Sequence, residues 1–572
     1  MLSTIYKDFK LPIQYCSETR TLPENIDPDL ELTQKNVGSE ISVYEKILNP
    51  KTVFGEQCVQ PFSKYYTTNI SYLKDTQNLC QEFHNMALDK PLIENTWVNY
   101  SSIKNDKSFL DNYQYIDWTY FKWLNNISVF LFILSFYNLS SPVINLITPI
   151  FILIVPFFML KVMGLPVTTA SYYKILIEQL KKHTIGQLFT QWGTVSITRK
   201  AYLLFCFSMY FYNIYQNILS CRKFYRNSTY ITDTFTNMKN YLDYSIENMK
   251  FYLKLTKDYP SYQGFRNSIE NNKNQMINYY NNFVNLPDKV ISFKNISYIG
   301  QTMKQFYIIH NCNEFKQCIE YSFAFNGYVD VMKGISDKIN NKTMNSIKFL
   351  ENKKAKFSIK DFHHPLIDDK PVKNNINLKK NKIITGPNAS GKTTLLKSSI
   401  INIIICQQVG YGYFHSGKIT PFHNIHCYMN IPDTNGRDSL FQAEARRCLD
   451  ILRIMDENKH ERHFAVFDEL YSGTNPYEAI SSAYSYLHYI SKNKKIKFVL
   501  TTHFIKLCEL LEKNNKQTEN CCMETIVYND EPVYKYKMNK GISKIKGGIC
   551  VLKQLNYPED VITKTKKALE KL

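Results

Sequence analysis

The segment that most constrains this chain is "GPNASGKTT", a glycine-rich stretch at residues 386–394. It follows a short apolar run ending at Thr385 and precedes an apolar, helix-forming series that starts at Leu395. This strand, loop and helix order suits a phosphate cradle, because glycines let successive backbone N–H groups point at a phosphate. A chance match in an unrelated loop is the alternative, and the rest of the chain decides between the two.

The residue types in this loop predict its chemistry. Lys392 is expected to reach the β- and γ-phosphates of a nucleotide, and the Thr393 hydroxyl is expected to ligate Mg²⁺. ATP and Mg²⁺ are therefore the expected cofactors. The predicted nucleotide-binding residues are Gly386, Pro387, Asn388, Ala389, Ser390, Gly391, Lys392, Thr393 and Thr394.

Two later apolar runs end in polar residues. The stretch "HFAVFDE" is typical of a buried strand with Asp468 and Glu469 at its carboxyl end, where open parallel sheets place their chemistry. We expect Asp468 to hold magnesium through its water shell and Glu469 to polarise the attacking water. A third run ends just before His503, which is either a sensor of the γ-phosphate or an ordinary strand-end residue. Three such elements in this order predict ATP binding.

The residues between these motifs resemble the ATPase domain of the MutS family, the mismatch-repair ATPases. The matching stretches are "DFHHPLID", "TGPNASGKTT", "NGRDSLFQAE", "FDELYSGTNPYEA", "LTTHF" and the closing strand, glycine-rich turn and helix. An ABC-type Leu-Ser-Gly-Gly-Gln signature does not occur in the interval where one would be needed. The resemblance implies an α/β fold class with a P-loop ATPase domain of ABC or MutS type at the C-terminus, preceded by a mainly α-helical region. It also implies ATP hydrolysis.

The chain departs from the family pattern at two places. Its loop reads "NASGKT" where the family reads Asn-Met-Gly-Gly-Lys-Ser, and both Thr and Ser offer magnesium a hydroxyl. Asp438 stands between Arg437 and Ser439, where the family has Arg directly before Ser, and this alters the reach of Ser439. In MutS-like dimers that serine approaches the nucleotide of the opposite subunit. The resemblance therefore implies a homodimer with composite sites.

Composition bears on partners and compartment. The chain has 70 Lys and Arg against 50 Asp and Glu, and this net charge of +20 favours contact with DNA or anionic lipid. An AT-rich genome would produce the same abundance of Lys, Asn and Ile without any polyanionic partner. The 14 cysteines are scattered without a CxxC pair, which predicts no zinc site. The first residues, "MLSTIYKDFK", lack the apolar run of a signal peptide, so a reducing cytosol or nucleus is expected.

The centre of the chain is unusually apolar. Between Lys122 and Lys161 no charged residue occurs, and Ser140-Ser141-Pro142 interrupts this run. The two limbs have the length of about 17 residues that can just cross a hydrocarbon core of about 30 Å. Residues 123–160 therefore predict a membrane hairpin with both ends in the cytosol, and a buried helical hairpin of a soluble core is the alternative. A second charge-free run, residues 201–221, is expected to be a buried or interfacial helix.

Four regions are predicted along the chain. Residues 1–120 form an N-terminal region of unknown role, residues 121–225 a hydrophobic helical region, residues 226–318 a helical lever or core, and residues 319–572 the ATPase domain. Within the first region, Phe54-Gly55-Glu56 superficially resembles the Phe-x-Glu wedge with which MutS proteins probe a mismatch. The surrounding wedge-domain pattern is missing, so Phe54 is expected to be a core aromatic.

Two hypotheses of function compete. The first is a DNA-binding, MutS-like ATPase related to mismatch repair, which closes on DNA as a homodimer in the nucleus or cytoplasm. The second is a membrane-associated MutS-like ATPase, facing the cytosol, whose cycle moves a membrane hairpin or a protein partner. Net charge and family precedent favour the first hypothesis. The missing wedge and the apolar centre favour the second.

Overall fold

The computed structural model describes residues 2–35, 41–164, 168–288, 292, 294–352, 354–429, 431, 439–528, 531–545, 549, 552–553 and 555–571. The chain forms two compact units. The first unit comprises Met1–Lys90, Glu247–Lys273 and Glu320–Leu572, and the second comprises Pro91–Ile246 and Asn274–Ile319. This division differs from the predicted one, because residues 1–90 share a unit with residues 320–572 instead of standing apart as an N-terminal region.

Helices make up most of the chain before residue 341, which confirms the predicted helical region. In chain order the α-helices are α1 (Ile26–Leu30), α2 (Val43–Leu48), α3 (Val53–Lys64), α4 (Ile70–Glu82), α5 (Lys90–Asn105), α6 (Phe109–Asn112), α7 (Ser128–Val162), α8 (Thr169–Lys182), α9 (Thr184–Thr190), α10 (Ile197–Leu255), α11 (Gln263–Val284), α12 (Ile299–Asn311), α13 (Asn313–Asn340), α14 (Lys392–Val409), α15 (Leu440–Glu457), α16 (Pro476–Ser491), α17 (Ile505–Asn514) and α18 (Glu559–Lys571). Short 3₁₀ turns lie at Leu2–Lys7, Pro12–Tyr15, Phe83–Asn85, Thr119–Asn126, Pro260–Tyr262 and Ile296–Tyr298.

Strands are concentrated in the first unit. They are β1 (Thr19–Thr21), β2 (Tyr65–Thr67), β3 (Asn345–Ser346), β4 (Lys348–Phe349), β5 (Phe357–Phe362), β6 (Asn374–Asn377), β7 (Asn381–Thr385), β8 (Tyr411–Gly412), β9 (Ser416–Ile419), β10 (Asn424–Tyr428), β11 (His463–Asp468), β12 (Ile496–Thr502), β13 (Thr518–Tyr528) and β14 (Glu531–Lys540). The largest sheet has six strands in the order β10-β11-β12-β7-β13-β14, and a second sheet has the order β4-β9-β5-β6.

The six-stranded sheet is mostly parallel because apolar runs alternate with helices along the chain. Strands β10, β11, β12, β7 and β13 pair in parallel, and β14 joins β13 as an antiparallel edge. Strand β12 is buried along its whole length, as expected for a parallel strand covered on both faces. This arrangement brings the carboxyl ends of β7, β11 and β12 to one edge of the sheet.

The N-terminal segment is tied into the first unit by hydrogen bonds. The Tyr44 hydroxyl donates to Gln408 Oε1 of α14 at 2.6 Å, and Gln408 Nε2 donates to the Tyr65 carbonyl at 2.8 Å. Phe54 is fully buried and stacks on Phe323 with ring centroids 4.7 Å apart. The prediction that Phe54 is a core aromatic is therefore confirmed.

The predicted hairpin within residues 123–160 is wrong, because α7 runs without interruption from Ser128 to Val162. Pro142 has no N–H to donate to the Asn138 carbonyl four residues earlier. The Ser141 hydroxyl donates to that carbonyl instead, at 3.2 Å. A serine before the proline thus compensates the lost backbone bond, and the segment that predicts a turn is accommodated in a helix.

The apolar helices of the second unit are unusually exposed. Among the described residues, Ser128–Thr148 is long and apolar enough to cross a membrane, by length and composition, and 11% of its most apolar window is buried. Residues 201–221 lie in the first part of α10, where Leu203 is buried but Phe205 and Phe211 are exposed. The prediction that residues 201–221 are buried is therefore wrong for most of their large side chains. The alternative prediction, an interfacial helix, stays a prediction.

Candidate nucleotide-binding site

The glycine-rich loop joins β7 to the start of α14, as the sequence predicts. Two of its residues have left-handed backbone angles, Ala389 with φ of 63° and Gly391 with φ of 88°. A Cβ atom on Gly391 would meet Cδ1 of Tyr536 at 3.0 Å. Both the backbone angle and the close ring therefore favour glycine at this position.

Lys392 closes the loop on itself. Its Nζ donates to the carbonyls of Gly386 and Pro387, each at 3.1 Å. Burial lowers the pKa of Lys392, while the nearby Glu469 and Asp468 carboxylates oppose this shift. The ammonium group is thus held by neutral carbonyls in a desolvated position, where an anion would stabilise its charge.

Asp468 and Thr393 meet across the edge of the sheet. The Thr393 hydroxyl donates to Asp468 Oδ2 at 2.9 Å, and the Thr501 hydroxyl hydrogen-bonds to the other carboxylate oxygen. A hydroxyl and a carboxylate are hard oxygen ligands of the kind that Mg²⁺ prefers. The two predicted magnesium ligands are therefore brought together by the fold.

Glu469 and His503 lie against each other beside the lysine. His503 Nε2 lies 2.8 Å from Glu469 Oε1 and 3.2 Å from Lys392 Nζ. The hydrogen bond from His503 lowers the pKa of Glu469, against the raising effect of partial burial. Glu469 also has a left-handed φ of 51°, and its N–H donates to the Thr501 carbonyl at 3.1 Å. The carboxylate is thus held in its ionised form.

Strand register explains this convergence. Thr385 pairs with Thr502 and Asp468 pairs with Thr501, so β7, β12 and β11 end at the same level. The loop after β7, the acids after β11 and the histidine after β12 then leave the sheet together. The sequence order of three apolar runs, each followed by polar residues, carries this information.

A cavity of about 610 Å³ opens at the start of α14. Of the predicted residues, it is lined by Asn388, Ala389, Gly391, Lys392, Thr393, Thr394 and Glu469. Gly386, Pro387, Ser390, Asp468 and His503 are not part of that lining. Among them, Gly386, Pro387, Asp468 and His503 contact Lys392, Thr393 or Glu469 directly.

Other residues of the cavity were not assigned by sequence reasoning. The far wall comes from the segment after β5, including His364, Ile367 and Val372, and from Tyr536 on β14. Burial lowers the pKa of His364 to about 4, so this ring is neutral at physiological pH. The "DFHHPLID" stretch carried a signal for this wall, whereas nothing near Tyr536 in the chain indicates its position.

Ser439 is exposed at the start of α15, outside the lining of the cavity, and residues 432–438, including Arg437 and Asp438, lie outside the described part of the chain. The Ser439 hydroxyl accepts a hydrogen bond from the Gln442 N–H at 3.3 Å, which makes Ser439 the N-cap of α15. No residue of a second chain is needed for this local role.

Glu444 ties α15 to the loop that follows Glu469. Its buried carboxylate accepts hydrogen bonds from the Ser472 N–H at 3.1 Å, the Ser472 hydroxyl at 3.0 Å and the Gly473 N–H at 3.1 Å. A Cβ atom on Gly473 would meet Leu440 Cγ at 2.7 Å. The "SLFQAE" stretch and the "YSGTN" stretch are therefore one structural element.

These features define the chain as an α/β protein with a polar cleft at the carboxyl edge of a largely parallel sheet. The family described as MutS domain V matches residues 382–572, which contain the glycine-rich loop and the acidic strand end. MutS domain V is the ATPase domain of that family. Residues 382–572 of this chain therefore belong to the MutS domain V family.

Curated relatives agree with this assignment. The DNA mismatch repair protein MutS of Persephonella marina is 29% identical over 218 residues, which is 37% of this chain and 24% of that protein. MutS of Fusobacterium nucleatum is 32% identical over 224 residues, covering 37% and 24%. MutS of Wolbachia pipientis is 23% identical over 368 residues, covering 62% and 40%. The matched part of this chain thus spans between 24% and 40% of the length of these relatives.

Proposed function

We propose that this chain binds ATP with Mg²⁺ in the cleft at the start of α14 and hydrolyses it. The observation that carries the proposal is the meeting of Lys392, Thr393, Asp468, Glu469 and His503 within hydrogen-bonding distances at one sheet edge. A P-loop NTPase needs a cation for the phosphates, a hydroxyl and a carboxylate for magnesium, and a residue that orients water. These side chains supply each of them.

Lys392 is the residue that the phosphates would engage. Its bonds to the Gly386 and Pro387 carbonyls would be exchanged for bonds to phosphate oxygens, which pair better with a desolvated ammonium group. Thr393 and Asp468 would hold Mg²⁺, which when bound neutralises charge on the phosphates. Glu469 would orient and deprotonate the attacking water, and His503 would hold the Glu469 carboxylate.

The far wall of the cleft suits the base of the nucleotide. Tyr536 offers an aromatic face, and Ile367 and Val372 offer apolar contacts. The cavity of about 610 Å³ falls within the range of small-molecule sites.

Two substitutions test the hydrolytic site. Lys392→Ala should abolish nucleotide binding, because it removes the cation that meets the phosphates. Glu469→Gln should keep binding but lower single-turnover hydrolysis by about 100-fold or more, because an amide cannot accept the proton of water. Radiolabelled ATP binding and single-turnover product formation measure both effects. Hydrolysis at the wild-type rate in Glu469→Gln would contradict the role of Glu469.

For the whole protein we propose a homodimer that acts on DNA in a process related to mismatch repair. The relatives named DNA mismatch repair protein MutS support the proposal, as does the net charge of +20. A titration of duplex DNA at several salt concentrations tests it, because phosphate contacts give a negative slope of log binding constant against log salt. Binding that ignores salt would argue against a DNA partner.

A second candidate function is that of a membrane-associated ATPase whose nucleotide site faces the cytosol. Its specific support is the exposed apolar surface of α7 and α10, in place of the hairpin within residues 123–160. In this case the ATPase cycle would act on the membrane segment or on a protein partner, and the soluble nuclear or cytoplasmic placement would not apply. Retention of the chain in membranes after a carbonate wash would distinguish this candidate from the one that acts on DNA.

A further inference from the structure

We infer that α7 and the first part of α10 cross a lipid bilayer together as an antiparallel helical pair. This inference concerns the second unit and is independent of ATP hydrolysis in the first. Two contacts between described side chains and backbone join the helices. The Tyr210 hydroxyl donates to the Asn145 carbonyl at 3.0 Å, and Cys221 Sγ lies 3.8 Å from the Leu139 carbonyl oxygen. Rising residue numbers on α10 thus match falling numbers on α7.

This register aligns two charge-free runs that are far apart in sequence. Residues 139–160 of α7 and residues 201–221 of α10 contain no Asp, Glu, Lys or Arg. At about 1.5 Å per residue each of these two segments is about 32 Å long, and on α7 the uncharged stretch continues back to Ser128, where the helix begins. The length of each segment matches the hydrocarbon core of about 30 Å in a bilayer. The pair therefore presents one uncharged band whose height is that of a membrane.

The surface of this band is apolar and exposed. Six large side chains, three on each helix, are between 51% and 63% exposed, whereas large apolar groups of a water-soluble domain are mostly buried. They are Val143, Leu146 and Met159 on α7, and Phe205, Phe211 and Tyr215 on α10. The exposed surface of the two helices is mostly apolar, interrupted on α10 by the exposed Asn213 and Gln216. Such a surface needs a cover, and hydrocarbon chains fit it.

Hydroxyl groups of α7 inside the band are satisfied within that helix. The hydroxyls of Ser140 and Thr148 donate to carbonyls four residues earlier at 2.8 and 2.6 Å, and the Ser141 hydroxyl covers the carbonyl that Pro142 leaves free. A bilayer core offers no water to these groups, so internal bonds are required there. In water such groups would have solvent as an alternative partner.

Basic and aromatic residues border the band at both ends. At one end, Arg222 and Lys223 follow the charge-free run, with Tyr225 exposed beside them. At the other end, Lys200 Nζ lies 5.3 Å from the centroid of the Trp192 ring. Cationic and aromatic side chains suit the headgroup region, where anionic phosphates meet water. The helices α8 and α9, which connect α7 to α10, would then lie on one face of the membrane. Arg222 and Lys223 would lie at the opposite face.

The test uses the full chain, made by cell-free synthesis with vesicles of phosphatidylcholine and phosphatidylglycerol. After a carbonate wash, the wild-type chain should float with the vesicles in a density gradient. The double variant Leu146→Arg, Phe211→Arg should float at least tenfold less, because each charge would enter the hydrocarbon. Val98→Arg is the matched control, since Val98 is exposed on α5 outside the band, and it should float as the wild type does.

Three results would overturn the inference. The first is a wild-type chain that stays at the bottom of the gradient. The second is a discrete lipid-free oligomer that the double variant dissolves, because a second copy of the chain would then cover the band. The third is trypsin cleavage at Lys181 and Lys182 in intact vesicles, since crossing should protect these sites until detergent is added. ATP binding measured on the same samples separates failure of the pair from failure of the nucleotide site.

Discussion

Single buried side chains set how the first unit responds to acid. His426 on β10 and His463 on β11 stack with ring centroids 5.4 Å apart, and His426 Nε2 lies 3.1 Å from His463 Nδ1. Burial lowers the pKa of His426 from 6.5 to about 3, and the neighbouring His463 and Arg447 add to the shift. The fold thus accepts only the neutral ring, so the unfolded chain binds a proton first as the pH falls.

We predict that the free energy of unfolding falls as the pH is lowered from about 7 to about 5, because protonation favours the unfolded chain below its pKa of about 6.5. His426 alone should contribute about 2 kcal/mol across that window, because the slope approaches about 1.4 kcal/mol per pH unit only below a pH of about 6. Urea unfolding at several pH values measures the slope. His426→Gln should lower the slope by the share of one buried histidine, because burial also lowers the pKa of His364 and His423. His84→Gln, an exposed control, should leave the slope unchanged. An unchanged slope in His426→Gln would contradict this origin.

At the scale of elements, Glu444 makes α15 and the loop after β11 move as one body. Three donors from Ser472 and Gly473 converge on one buried carboxylate. Removing an acceptor from buried donors costs about 1–3 kcal/mol, because they lose their partner without gaining water. Ser472, the first of these donors, lies three residues after the proposed base Glu469. The position of the loop therefore affects the cleft.

Glu444→Ala should therefore lower the free energy of unfolding by about 2–3 kcal/mol and reduce hydrolysis more than ATP binding. Asp450→Asn is the matched control on the same helix, because the Asp450 side chain is 65% exposed. Chemical denaturation and steady-state kinetics measure the two effects. Equal effects from both substitutions would show that the carboxylate of Glu444 has no special role.

The continuity of α7 is a second property of an element. Val129 and Val155 are 26 residues apart on this helix, so spin labels there should be about 39 Å apart at about 1.5 Å per residue. A turn at Pro142 would fold the two limbs together and shorten the distance to about 10–20 Å, as for neighbouring helices. Labels attached through a non-canonical amino acid and pulsed electron paramagnetic resonance distinguish the two. The same pair can be measured in vesicles and in detergent.

At the scale of the whole molecule, the composite dimer that we propose is suggested by the similarity of residues 382–572 to MutS domain V. Ser439 is exposed at the start of α15, and Glu444 fixes that helix to the loop containing Gly473. In the dimer that we propose, both would face the nucleotide of the second subunit. ATP would then bring two chains together by supplying contacts that each chain lacks alone.

We predict that Glu469→Gln, with ATP bound, sediments as a dimer and returns to monomer when ATP is withdrawn. Adding Ser439→Asn should weaken the dimer, because asparagine preserves the N-cap of α15 but changes the group presented outward. Sedimentation velocity with and without ATP is the measurement. A monomer under both conditions would contradict the composite site.

The sequence by itself identified the groups that meet at the cleft. The glycine-rich loop, Asp468, Glu469 and His503 are recognisable because each set of groups lies within a few residues of one strand end, and parallel strands bring such ends to one edge. The helical character before the ATPase region was also determined, since helical periodicity is a local property.

Tertiary structure alone decided the features that depend on distant partners. Tyr536 reaches the cleft from β14, and residues 1–90 join the unit of the ATPase region through contacts hundreds of residues apart in sequence. The turn predicted at Pro142 is absent because the Ser141 hydroxyl satisfies the Asn138 carbonyl, and turn propensities do not include that bond. Local patterns report local energies, whereas burial and long-range hydrogen bonds choose among the structures that those patterns allow.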